Sequence, residues 1–369
     1  MKKVCMPGAS QEVKETMAAG GYQIESFDPR SYFSKKAKRS IGDFISNGLS
    51  GYDKRSFASR AEELDRIYRE RDPAYMKMAG DFIDLFRDFD LIVMGLNFIH
   101  PELLARELKN PIKIVGLIDD PHATYTRGIQ YLWAFDGVFY ISPSYMDNLP
   151  FKTAISRWRD MPTVWLPLCS HQRVKEPTQD DESFFRNRDR DLVYVGGHYT
   201  NKIGRLIELK RHFGSRIAVR GRWSFGGYSG FLRGLLGKPL FPYRVTSLSN
   251  EERTKLYWNT KIGFNMHQSG DGRSECGNAR TYEVPAHGAL LISDKGAADG
   301  HALIFEPNKE AVYYDTINDA IDLIEYYLNH KDERITIAKA GYERYRRDYT
   351  PEKVLTDFFQ WATSIKKSV

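Results

Sequence analysis

The chain has 369 residues, 41% of them hydrophobic and 28% charged, and a formal net charge of +6. This is a soluble globular profile, too long for one ordinary core, so two domains of roughly 150–200 residues are expected. No window approaches 18 apolar residues, which excludes a spanning helix, and the apolar run 4–9 after Lys2 and Lys3 is too short for a secretory signal.

Residues 2–9 read as a buried strand ending at Pro7-Gly8, residues 11–19 as the following helix and 22–27 as a second strand. That is the opening of an alternating β/α domain. Residues 31–80 break the rhythm, with ten Lys/Arg and six Asp/Glu between Ser31 and Arg71. They read as a solvated helical insertion or as an arm facing an acceptor or a membrane. Alternation resumes with strands at 90–95, 113–118, 137–141 and 163–166, and Pro101 opens a helix at 102–108.

The strand at 113–118 runs into Asp119-Asp120-Pro121-His122. Polar residues just past the carboxyl ends of parallel strands are where open α/β sheets bind ligands. Asp120 or His122 could orient an acceptor hydroxyl or take its proton. A capped turn is the alternative. Aspartate pairs such as Asp88/Asp90 and Asp189/Asp191 sit at a strand start and in a polar stretch, so no metal site is expected. The three cysteines, Cys5, Cys169 and Cys276, lack metal spacing and fit a reducing cytosol.

Residues 176–190 are polar and read as a linker. A second β/α series follows: a strand at 192–195, the turn Gly196-Gly197, a helix from about 201, and a strand at 216–219 leading to Arg220. Paired glycines after a strand let backbone approach a ligand, with Lys202 and Arg205 on the helix behind. The loop is neither a Walker A loop nor a full dinucleotide fingerprint, and a plain turn is the alternative. Nine Lys/Arg and one acid lie between Arg205 and Arg244. Such a basic field calls for an anionic ligand: diphosphate, acidic lipid or nucleic acid. Within it, residues 222–246 hold five glycines, six aromatics, four basic residues and no acid. They read as a loop folded on its own aromatics or as a membrane-surface contact.

Order returns with a helix at 250–258 and strands at 262–266, 290–294 and 304–306. Thr316 or Asn318 caps a helix through Leu328, and Asp332 caps the next. Thr350-Pro351-Glu352 opens a last helix with a wide apolar face. Between the strands at 262–266 and 290–294 lie Glu275, Asn278, Ala279, Arg280 and Glu283. Asn278 can cap a helix whose first-turn N–H groups favour a phosphate, with Arg280 adding a charge-assisted bond. Glu283 could accept both hydroxyls of a ribose. A helix cap with a Glu283–Arg280 surface pair is the alternative. Pro285 should keep this helix short or bent.

Residues 262–349 resemble the C-terminal donor domain of GT-B glycosyltransferases, most closely the group that includes the spore-maturation protein CgeB. The matching residues are Lys261 to Asn265, the block Asn278-Ala279-Arg280-Thr281-Tyr282-Glu283-Val284-Pro285-Ala286-His287-Gly288, and Leu290 to Asp294. Farther on, 324–328, 337–341 and Tyr349-Thr350 also fit. The N-terminal half fits more loosely, through Asp119-Asp120-Pro121. The resemblance implies an α/β GT-B fold of two facing Rossmann-like domains with a C-terminal helix crossing back to the first. The expected boundaries are 1–175 (with a helical insertion at about 31–80, plus 350–369), a linker at 176–190, and 191–349.

The resemblance also implies a nucleoside-diphosphate sugar as donor, no obligate metal or cofactor, and Glu275 beside the sugar with Glu283 on the ribose. The usual Gly-Phe-Gly interior of that motif is here Cys276-Gly277-Asn278. Donor binding is expected from Gly197, Lys202, Arg205, Arg220, Asn278, Ala279, Arg280 and Glu283. Acceptor chemistry is expected from Asp120 and His122. The acceptor is a saccharide, lipid-linked or other hydroxyl in surface polysaccharide or glycoconjugate synthesis, at a cytoplasmic site that can include peripheral membrane contact through 222–246. The rival readings are a sugar-nucleotide epimerase of the same architecture and a nucleic-acid-binding protein using 205–244.

Overall fold

The computed structural model describes residues 1–33, 64–95, 97–117, 129–141, 143, 161–169, 181–196, 200–221, 223–224, 244–245, 248–267, 278–295 and 302–366. The chain divides into two compact units, Met1–Pro167 with Pro351–Val369, and Leu168–Thr350.

The first unit holds six parallel strands: β1 (Lys2–Cys5), β2 (Tyr22–Glu25), β3 (Leu91–Met94), β4 (Ile112–Leu117), β5 (Gly137–Tyr140) and β6 (Thr163–Trp165). Their order is β2-β1-β3-β4-β5-β6, so the winding reverses between β1 and β3. Helix α1 (Gln11–Ala19) is capped by Ser10, α2 (Pro73–Phe86) by Asp72 and α3 (Pro101–Glu107) by the ring of His100. The central strand β3 is a fully buried apolar run, as expected where helices cover a parallel sheet, while β2 and β6 at the edges are partly exposed. On one face Val4, Leu91, Val93, Ile114 and Phe139 meet Val13 and Met17 of α1.

The same core is completed by Leu355, Phe358, Phe359, Ala362 and Ile365. Four of these five lie on the last helix, which spans Pro351–Ser364 and is named α10 below. Phe358 meets Phe139 edge-on at 5.4 Å, and Phe359 meets Tyr22 at 5.0 Å. Each buried Phe contributes about 1.5–3 kcal/mol, so this return of the chain is a structural member of the first unit.

The second unit holds five parallel strands, β7 (Arg190–Val195), β8 (Ile217–Arg220), β11 (Thr260–Phe264), β12 (Leu290–Asp294) and β13 (Val312–Tyr314), in the order β13-β12-β11-β7-β8. Here the winding reverses between β7 and β11, which pair through Ile262 with Leu192 and Gly263 with Val193. Helices α4 (Asp181–Arg186), α5 (Thr200–Phe213), α6 (Asn250–Trp258), α7 (Ala279–Ala286), α8 (Ile317–Asn329) and α9 (Lys331–Asp348) surround it. Two-residue strands β9 (Trp223–Ser224) and β10 (Arg244–Val245) pair antiparallel at the ends of the glycine-rich segment. The remainder of 222–246 lies outside the described residues, as do 34–63 of the charged insertion. No described helix is long and apolar enough to cross a membrane.

Four local expectations change. The stretch 176–190 is not all linker, since Phe184 and Phe185 of α4 sit in the second unit's core. Its aromatic pair is enough to anchor an otherwise polar segment. The strand expected at 304–306 is instead a buried loop, in which the carbonyls of Ile304 and Phe305 accept from the Tyr349 and Tyr313 hydroxyls. The pairing falls to β13, eight residues on. Helix α9 begins at Lys331 without a side-chain cap, so Asp332 lies inside its first turn. Strand β11 ends at Phe264, two residues before the sequence pattern stops, and this places Asn265, Met266 and His267 beyond the sheet.

Candidate functional site

The described candidate residues gather at the carboxyl ends of β7, β11 and β12, beside the reversal of winding where open α/β sheets bind ligands. Helix α7 points its first turn at this place. Asn278 Oδ1 accepts the Arg280 N–H at 3.0 Å, and Thr281 Oγ1 accepts the Asn278 N–H at 3.3 Å, a reciprocal cap. The helix is eight residues long and includes Pro285 in its last turn.

Asn265 ties this cap to the sheet. Its Oδ1 accepts from Asn278 Nδ2 at 3.0 Å and Arg280 Nε at 2.8 Å, while its Nδ2 donates to Thr281 Oγ1 at 3.2 Å and Ser293 Oγ at 3.1 Å. Asn265 is fully buried, and every polar group of its amide is matched.

Arg280 crosses the reversal itself. Nη1 donates to the Val195 carbonyl at 2.8 Å, at the end of β7, and Nη2 to the Met266 carbonyl at 3.1 Å, past β11. Its guanidinium lies over the Tyr194 ring, 5.0 Å from the centroid. Three of its five donors are thus used inside the protein. The approach is close enough to require Gly196, since a Cβ there would stand 2.6 Å from Arg280 Nη1. Gly221, at φ +123°, brings the loop after β8 equally near, and a Cβ would meet the Gly196 carbonyl oxygen at 2.1 Å.

Lys202 lies in the first turn of α5 and is 3% exposed. Burial brings its ammonium down to about 7, helped by the neighbouring charges of Arg280 and Arg205 and opposed by Asp294. The structure therefore brings Arg205, Arg280 and the Asp294 carboxylate within electrostatic reach of Lys202. Asp294 is shared with His267, whose Nδ1 lies 2.6 Å from Asp294 Oδ1 and whose backbone N–H donates to Oδ2 at 3.1 Å. Arg220 joins the site through its backbone, its carbonyl accepting the Gly196 N–H at 2.9 Å. It ends β8, donates to the Val219 carbonyl at 3.0 Å and acts electrostatically on Lys210. Ala279 is exposed at the first helical position of α7.

Glu283 is buried on α7, 5% exposed, and desolvation raises its carboxyl above the usual range. It pairs with Arg253 of α6, Nη1 to Oε1 3.4 Å, and not with Arg280 as a surface pair would require. Behind it, His287 Nδ1 donates to the Glu283 carbonyl at 2.6 Å, and its ring stacks on Tyr257 at 5.4 Å. Asp120, His122, Gly197, Glu275 and Cys276 lie outside the described residues.

Asn265, His267, Asp294 and Arg253 were not singled out as functional by sequence reasoning. For the first three, the available signal was polar residues at the very end of buried strands. Arg253 gave none, being one of several charges on a helix 30 residues from its partner.

Residues 202–360 match the family described as glycosyl transferase-like. The chain is 22% identical over 268 residues to the spore protein CgeB of Bacillus subtilis strain 168, covering 69% of this chain and 77% of that one. The fold is similar to sucrose-phosphate synthase from Thermosynechococcus elongatus, with a TM-score of 0.62 at 14% identity over 98% of both chains. It is also similar to Anabaena HepE in complex with UDP, with a TM-score of 0.60 at 11% identity over 99% of this chain and 100% of that one. The chain is accordingly a glycosyltransferase of GT-B fold that resembles CgeB.

Proposed function

We propose that this glycosyltransferase binds a nucleoside-diphosphate sugar at the ends of β7, β11 and β12 and transfers the sugar to an acceptor hydroxyl. The observation that carries the reading is that Arg205, Arg280 and the Asp294 carboxylate all act electrostatically on buried Lys202, beside the capped start of α7. Cations crowded this way raise one another's cost of charging, and a diphosphate relieves it. The UDP of the HepE structure agrees with such a ligand.

In this reading the anomeric C–O bond to the diphosphate breaks with its electron pair leaving on the phosphate oxygen. Lys202, Arg205, Arg280 and the α7 N-terminus stabilise that charge, the electrostatic contribution that usually dominates. No metal is required. Glu283 accepts the ribose hydroxyls, and Gly196, followed in sequence by Gly197, lets backbone approach the ligand. Glu275 lies beside the sugar. His122 or Asp120 takes the acceptor proton as the new C–O bond forms. Retention of configuration, an acceptor in surface polysaccharide or glycoconjugate synthesis, a cytoplasmic location and membrane contact through 222–246 complete the proposal.

The test is a melting-temperature panel of nucleoside-diphosphate sugars, with and without a chelator. A ligand at 100 times its dissociation constant stabilises by about 2.7 kcal/mol. Failure of every nucleotide in the panel to stabilise the chain sinks the reading. Donor turnover without any acceptor points to the epimerase, and steeply salt-dependent DNA or RNA binding to the nucleic-acid reading.

A further inference from the structure

The ion pair behind the nucleotide wall has a role that the ribose reading of Glu283 does not by itself contain. We infer that Arg253 is a positioning residue that keeps the Glu283 carboxylate ionised and aimed, so that α6 and α7 together form the nucleoside end of the site. The inference rests on the proposed ribose role of Glu283.

Glu283 is taken almost wholly out of water, its side chain 7% exposed. A carboxylate so placed takes up a proton unless a counter-charge is held beside it. The charged and titratable groups that face it among the described residues are four. From α6 come Arg253 and Tyr257, and from α7 itself come Arg280 and His287. Arg280 is committed to Val195, Met266 and Asn265. His287 is buried and kept neutral, with its Nδ1–H on the Glu283 carbonyl. Tyr257 is fully buried, and its hydroxyl has no hydrogen-bond partner among the described residues. Burial and the nearby Glu283 raise its pKa, so it too is neutral. Among the described residues, Arg253 is left as the cation dedicated to Glu283.

Its own placement is set by α6. Ser249 and Glu252 form a reciprocal cap at the helix start, and Arg253 Nη2 donates to Asn250 Oδ1 at 3.2 Å. The second guanidinium nitrogen is thereby free of α6 and reaches Glu283. Charge matters to the proposed task because an ionised carboxylate accepts bonds from two neighbouring hydroxyls, whereas the protonated acid spends one oxygen as a donor.

The experiment is calorimetric titration of UDP into the full chain between about pH 5.5 and pH 8.5, all of it above the ordinary carboxyl range. It compares wild type, Arg253→Gln, Arg253→Lys and Glu283→Gln. The ratio of variant to wild-type Kd removes the titration of UDP itself. For Arg253→Gln the ratio is expected to grow about tenfold or more from the top of the range to the bottom, as the unpaired carboxyl takes its proton. Arg253→Lys restores a nearly level ratio. If the Arg253→Gln ratio is level while Glu283→Gln weakens binding, Arg253 only packs the helix and the inference is overturned. If Glu283→Gln leaves UDP affinity intact, the ribose reading itself has failed and the inference goes with it. Melting without ligand checks folding, and Arg253→Met, which keeps the aliphatic stem, replaces Arg253→Gln should that variant not fold.

Discussion

His267 Nδ1 stands 2.6 Å from Asp294 Oδ1, and this pair joins the carboxyl end of β11 to that of β12. His267 Nε2 lies 3.5 Å from Thr281 Oγ1, the hydroxyl that receives the Asn278 N–H. With both acceptor bonds of Thr281 filled, its own proton is available to Nε2, which leaves Nδ1–H for Asp294. The cap of α7 and the counter-charge of Lys202 are thus two ends of one hydrogen-bonded chain. A change at Asp294 reaches both.

The pH response of nucleotide binding follows from Lys202. Its folded value of about 7 lies below the ordinary lysine range. Below that pH the free protein already carries the ammonium that a diphosphate favours. Above it, binding has to draw in a proton, and affinity falls by up to about tenfold per pH unit. Calorimetry of UDP binding between about pH 7 and 9, in buffers of different ionisation enthalpy, should show proton uptake. Lys202→Met should abolish both slope and uptake. Asp294→Asn should move the fall to lower pH, because Asp294 is the charge that holds Lys202 up.

Arg280→Ala should be costly to the fold as well as to the ligand. It strips the Val195 and Met266 carbonyls and Asn265 Oδ1 of a donor at once. Unsatisfied buried groups cost about 1–3 kcal/mol each, so a loss on the order of 3 kcal/mol is expected in chemical denaturation. Arg280→Lys should recover little of it, because one ammonium cannot serve three acceptors spread around a planar fork.

The two glycines of the site should separate binding from stability. In Gly196→Ala the new methyl meets the end of the Arg280 side chain and the Tyr194 hydroxyl, both at 2.6 Å. The expected result is a several-fold loss of UDP affinity with a stability change of about 1 kcal/mol, at the low end for overpacking. In Gly221→Ala the methyl meets backbone at 2.1 Å, and φ is +123°. That strain should cost about 2 kcal/mol or more. Paired melting and titration curves check both.

Acid should weaken the second unit through His287. Burial brings its imidazole down to about 4. The folded value lies below the unfolded one, so the unfolded chain binds the extra proton between them. The contribution is whole above about pH 6.5 and is lost progressively as pH falls towards 4, by roughly 3 kcal/mol in all. Urea unfolding across that range should show the slope, and His287→Gln should flatten it.

The helix α7 was legible because its signals are local: a capping Asn, a proline that limits its length, and Glu283 one turn beyond Arg280. The network that fixes it was not. Asn265 and His267 lie within an apolar run that continues past the last paired residue, so pattern alone carried the strand two residues too far. Arg253 and Glu283 meet only through the packing of two helices. Strand β13 is three residues long, and Ile304-Phe305 nearby is equally apolar, so sequence periodicity favoured the wrong one. The boundaries of the last helix, by contrast, were written in Thr350-Pro351-Glu352.

That helix fixes an order of assembly. The ribosome releases α10 after every strand of both units, yet its phenylalanines belong to the core begun by β1. The second unit, Leu168–Thr350, is complete in sequence before the first one can be closed. During synthesis the first sheet waits with Phe139 and Tyr22 short of their partners, an apolar face that chaperones or aggregation can find. A chain stopped at Thr350 would keep every strand of both units and still lack a finished first one.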